Sequence, residues 1–129
     1  MIKNFRSFKE SKKNKFPNLK KQEIDGYTVI MGKDAESNDH LTTIMADPED
    51  LWFHTKGVPG SHIIIRQKDK LITNEVKRKV AELAAKNSKA KGDCVVVCCK
   101  AKFVKKESDM KPGQVKVDYK NAEEIKITI

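Results

Sequence analysis

Three consecutive isoleucines, Ile63, Ile64 and Ile65, stand between Ser61-His62 and Arg66. A strand turns successive side chains to opposite faces, so an unbroken apolar run needs cover on both sides of its sheet. That demand constrains the fold more than any other feature of the chain. The remaining stretches supply the sheet and its cover. "GYTVIMG", residues 26–32, reads as a strand in which Tyr27, Val29 and Met31 alternate with Thr28 and Ile30 between two glycines. "LWFH", residues 51–54, and "CVVVCC", residues 94–99, read as further strands.

Two stretches read as helices. In residues 73–93, Thr73 or Asn74 caps, Val76, Val80, Leu83 and Ala84 share the core face, and Lys77, Arg78 and Lys79 point outward. In residues 36–50, Ser37 or Asn38 is the expected cap, Leu41, Ile44 and Met45 form one face, and Asp47-Pro48 closes the segment. "KPGQVKVDY", residues 111–119, and "EEIKITI", residues 123–129, read as a closing pair of strands entered through a Pro112-Gly113 turn. Phe5 and Phe8 are candidates for an earlier edge strand, and about residues 9–23 read as a lysine-rich exposed arm or loop. The expected fold is α+β, a mainly antiparallel sheet with two helices packed on it, as one domain over residues 1–129.

The chain carries 27 Lys plus Arg against 18 Asp plus Glu, net +9, a balance that draws polyanions. Only Arg6, Arg66 and Arg78 are arginines, so the charge suits phosphate attraction more than the forked reading of base edges. No apolar run resembles a signal peptide or a membrane span, and Cys94, Cys98 and Cys99 lie inside an apolar stretch. These features point to a cytoplasmic protein with reduced core thiols and no membrane partner; a redox-sensitive Cys98–Cys99 pair is the lesser reading.

"DLWFHTKGVPGSH", residues 50–62, concentrates the chemistry. A metal site would need His54, His62 and a third ligand such as His40, but no ligand spacing of known type is present, and the expectation is no metal and no cofactor. A hydrolytic site from His54, His62 and Asp50 is the weakest reading, since the GxSxG elbow is absent and neighbouring Ser61 and His62 point apart on a strand. A phosphate seat is stronger: Gly57, Gly60 and Ser61 can present backbone N–H groups in a concave turn, with Lys56 adding charge. Pro59-Gly60 is equally an ordinary turn, with Pro setting φ and Gly accepting positive φ, and the two readings are compatible. Trp52 and Phe53 are assigned to the core more than to base stacking.

The stretch from Gly26 to Arg66 closely resembles the NFACT-R domain, the RNA-binding module of the NFACT family of ribosome quality-control factors, whose bacterial members have been known as fibronectin-binding proteins. The likeness rests on Gly32, Asn38-Asp39 with Leu41, Asp50, Trp52-Phe53-His54 and Pro59-Gly60-Ser61-His62, followed by "AAKNSKAK", "KFVKK" and "KPGQV" in family order. In large family members this module accompanies an NFACT-N domain, a helix–hairpin–helix segment and a coiled coil. Without such segments in this sequence, a stand-alone form is expected, and the tailing activity of the large members does not carry over. The resemblance implies a non-enzymatic protein that binds RNA, either tRNA or rRNA, with a possible tie to ribosomes; its oligomeric state is open. The central site would comprise Lys33, His54, Lys56, Gly57, Gly60, Ser61 and His62, with Lys100, Lys102, Lys105 and Lys106 as a flanking phosphate strip. One departure stands out: the family's usual Arg-Asn after the strand-ending glycine is Lys33-Asp34 here. The rival class is a protein-interaction module that docks on a ribosomal protein or a larger NFACT partner.

Overall fold

The computed structural model describes residues 16–66 and 71–129. Its main sheet contains β1 (Leu19–Ile24), β2 (Tyr27–Gly32), β3 (Leu51–Thr55), β4 (Ile63–Ile65), β5 (Asp93–Lys100) and β8 (Glu123–Thr128). The order is β1-β2-β4-β3-β5-β8, and every pairing is antiparallel. Helices α1 (Ala35–His40) and α2 (Asn74–Lys86) complete the expected α+β arrangement. A separate two-stranded sheet pairs β6 (Val104–Lys105) with β7 (Lys116–Val117).

The isoleucine run lies on β4, inside the sheet between β2 and β3. Ile63 and Ile65 pack with Phe53, Val96 and the Val76, Val80, Ala81, Ala84 and Ala85 face of α2. The alanines let the helix approach the sheet closely. Ile64 points the other way, onto Trp52, Leu41, Val97 and Cys99. A fully buried isoleucine contributes about 2 kcal/mol, so the run rewards cover on both faces. Thr73 caps α2 by accepting from Val76 N. Burial pushes the Cys98 thiol up to about 12 and Cys99 up to about 11, so both are neutral core groups.

Several elements differ from the sequence reading. Residues 19–23 are not part of a loop; they belong to β1, joined to β2 through Asp25-Gly26 with φ of 52° and 86°. That pair of positive angles is the tight hairpin turn that Asp-Gly favours. Lys20 and Lys21 made the segment look unstructured, but lysine is a common guard on an edge strand. Residues 9–15 of the proposed arm, with Phe5 and Phe8, lie outside the described residues, and residues 16–18 precede the strand without regular structure. Asp34, rather than Ser37 or Asn38, caps α1, accepting from Ser37 N at 2.8 Å. Ser37 and Asn38 are instead buried, and the helix passes into a π-helical turn over Leu41–Met45. Residues 111–119 and 123–129 do not pair with each other. β7 folds back on β6, while β8 lies along β5, where Ile125 and Ile127 reach the α2 core.

Candidate functional site

α2 covers one face of the sheet. On the other face, α1, the β3–β4 connection and the β6–β7 hairpin leave a groove of about 840 Å³. Its lining includes Lys33, Trp52, His54, the segment Lys56–His62, Asn87, Lys89, residues 112–115, Val117 and Tyr119.

The β3–β4 connection is held from outside. Gly60 bridges Ser88 at the end of α2, Ser61 N donates to Asn87 O at 3.0 Å, and Lys89 N donates to Pro59 O at 2.9 Å. A Cβ on Gly60 would come within 2.6 Å of the Ser88 Cβ, so this glycine serves close approach. The positive φ of the turn falls on Gly57, at 79°, not on Gly60. Because the Ser61 N–H is spent on Asn87, the expected nest of free amides at Gly60-Ser61 does not form.

α1 holds the corner from the other side. Asn38 Oδ1 accepts from His62 N at 3.0 Å, and Asn38 Nδ2 donates to Gly60 O at 3.2 Å. The helix can come this near only because a Cβ on Gly32 would fall 2.2 Å from Asn38 Oδ1. Thr42 Oγ1 accepts from Trp52 Nε1 at 2.9 Å and lies 2.8 Å from His62 Nδ1. Trp52 and His62 are each 1% exposed, so Trp52 cannot stack a base, and His62 supports the groove from beneath rather than touching a ligand. Burial, reinforced by neighbouring His54, holds the His62 pKa down to about 3.

His54 is the histidine that opens into the groove. It is half-buried, its ring centroid 5.8 Å from Trp52 and 5.0 Å from His62. Burial lowers its pKa, and its ring nitrogens have no hydrogen-bond partner among the described residues. Gly57 and Ser61 also line the groove.

The lysines divide into two groups. Lys33, Lys56 and Lys89 border the groove, from three separate segments. Lys56 Nζ lies 2.7 Å from Glu124 and 5.0 Å from the Tyr119 ring centroid. Lys33 and Lys89 are exposed and make no ion pair among the described residues. The proposed flanking strip does not join them. Lys100 and Lys102 both grip Glu49, at 2.8 and 2.9 Å, and hold its carboxyl down to about 2. Lys106 pairs with Asp39 at 3.1 Å and donates to the carbonyls of Lys111 and Gln114. Lys105 is exposed on β6, opposite Lys116. None of these four lines the groove. Sequence reasoning missed Lys89 and Tyr119 as groove residues. Lys89 was visible only as one of several lysines after α2, and Tyr119 as the end of a wrongly paired strand.

Asp50 Oδ2 pairs with Arg66 Nη1 at 2.9 Å and accepts from Asp47 N. Four residues of strand, roughly 13 Å, separate it from His54, which breaks up the hydrolytic constellation. Among the described residues, no group of three or more His, Cys, Asp or Glu could hold a metal ion. No described helix is long and apolar enough to cross a membrane.

Fold and groove together define an α+β domain with a lysine-bordered groove on one sheet face. Residues 15–119 match the family described as the NFACT protein RNA binding domain, and the chain belongs to that family. It is 38% identical over 99 residues to the Rqc2 homolog RqcH of Bacillus subtilis strain 168, covering 75% of this chain and 17% of that protein. Against the Rqc2 homolog RqcH of Streptococcus suis strain 05ZYH33 the identity is 42% over 108 residues, covering 81% and 19%. The chain thus spans about a fifth of the length of these relatives. The solved C-terminal part of the fibronectin/fibrinogen-binding protein from Streptococcus suis superposes with a TM-score of 0.70 at 34% identity, covering 84% of this chain and 43% of that one.

Proposed function

We propose that this chain is a non-enzymatic, cytoplasmic RNA-binding domain that takes structured RNA, tRNA or rRNA, at the groove through phosphate contacts. In this reading residues 1–129 form one domain, and its work is linked to ribosome quality control. Membership of the NFACT RNA-binding family and the likeness to two RqcH proteins support the class of ligand. The observation that carries the location is the convergence of Lys33, Lys56 and Lys89 on one groove. Their ammonium groups can neutralise phosphates and release counterions, and the net charge of +9 draws RNA toward them. His54, Gly57, Gly60 and Ser61 would shape the seat, with His62 beneath.

Titration of the purified chain with tRNA and with an rRNA fragment across a salt series tests this. Log affinity is expected to fall linearly with log salt. Lys33→Ala and Lys89→Ala should each weaken binding and flatten that slope by about one unit per lost contact. A salt-independent interaction, or a double variant that binds like the parent, would overturn the assignment. Association with ribosomes that survives nuclease treatment would favour the protein-docking reading instead.

A further inference from the structure

We propose that the groove receives an unpaired nucleobase, with His54 hydrogen-bonding its edge and Tyr119 offering an aromatic wall. This rests on the RNA-binding reading and narrows it to RNA with single-stranded or looped-out nucleotides.

A site that only gathers phosphates needs charge and exposure. This groove has more: Val97, Val115 and Val117 line it beside Tyr119, and it continues down to the His54 ring on β3. Its volume, about 840 Å³, lies within the range of pockets that engulf small molecules. Tyr119 is 53% exposed, although a large aromatic ring gains by burial. Lys56 stands over that ring, and the same lysine can answer a phosphate next to a bound base.

His54 gives the second, independent pointer. His54 is half-buried, and its ring nitrogens are not among the unpartnered atoms sealed from solvent. They meet no hydrogen-bond partner among the described residues, whereas nearby His62 meets Thr42, so they stay available to a ligand in the groove. A neutral imidazole offers one donor and one acceptor. Base edges carry both, so the group suits a base without imposing one identity. Within a duplex those bases are stacked and would first have to be flipped out, whereas loops and single strands present them freely.

The experiment compares a short single-stranded oligoribonucleotide with a fully abasic ribose-phosphate oligomer of equal length and charge. The base-bearing oligomer is expected to bind at least about tenfold more tightly, the size of one good stacking contact. Tyr119→Ala should remove most of that advantage, lowering the affinity of the base-bearing oligomer far more than that of the abasic one. Exposed Tyr119 is chosen so that folding is preserved, checked by an unchanged melting temperature. His54→Leu should likewise weaken the base-bearing oligomer more than the abasic one. Equal binding of the two oligomers would sink the base pocket and leave phosphate-mediated RNA binding standing. Binding of neither, nor of tRNA or the rRNA fragment, would sink both.

Discussion

His62 shows how misleading a polar residue in a conspicuous segment can be. Its position in "PGSH" suggests contact chemistry, yet its ring lies under the groove against Thr42, Trp52 and His54. Burial lowers its pKa from an ordinary value of 6.5 to about 3. Between those values the unfolded chain binds a proton that the folded chain refuses, so stability falls as pH falls through that window. The loss approaches about 1.4 kcal/mol per pH unit for this group and vanishes above the ordinary value. Nuclear magnetic resonance at pH 5 should therefore find the His62 ring neutral. A ring that titrates near 6.5 would show that solvent reaches it. Gly60 carries a similar lesson, because its role comes from Ser88, far along the chain and invisible to local turn rules.

Among the elements, the β6–β7 hairpin packs its valines on the sheet core and is tied to α1 by two contacts with one carboxylate. Asp39 Oδ1 accepts from Gly113 N at 2.9 Å, and Asp39 Oδ2 pairs with Lys106. Pro112 and Gly113, with a φ of 83° at the glycine, make the turn predicted from their sequence, closed by Gln114 N donating to Lys111 O. What the sequence concealed was the partner strand. Lys105 and Lys106 look equivalent in the string, yet one stands in solvent and the other clasps α1. Asp39→Ala should cost about 1–2 kcal/mol, speed hydrogen exchange at the Gly113 amide, and lower RNA affinity by loosening a groove wall. An unchanged exchange rate would show that the hairpin is held by its apolar contacts alone.

Across the whole molecule, the charge of +9 overstates the cation available at any one place. Lys56, Lys77, Lys79, Lys100, Lys102, Lys106 and Lys116 all have carboxylate partners. Exposed pairs of this kind add little stability, so their acids can be neutralised without unfolding the chain. Glu124→Gln should release Lys56 into the groove, tighten RNA binding a few-fold and steepen the salt slope by up to about one unit. Glu49→Gln, which frees Lys100 and Lys102 outside the groove, should have a clearly smaller effect. The reverse ranking would move the RNA seat to that strip.

Apolar periodicity by itself determined the strands β2 to β5, the helix α2 and the α+β class, because burial of consecutive or alternating side chains is a local demand written into the order of residues. Tertiary structure decided which lysines meet acids, which histidine faces the groove, and that β7 pairs with β6 while β8 completes the main sheet. Those outcomes depend on contacts between distant segments, such as Gly60 with Ser88 and Asp39 with Gly113, whose geometry no stretch of sequence encodes alone.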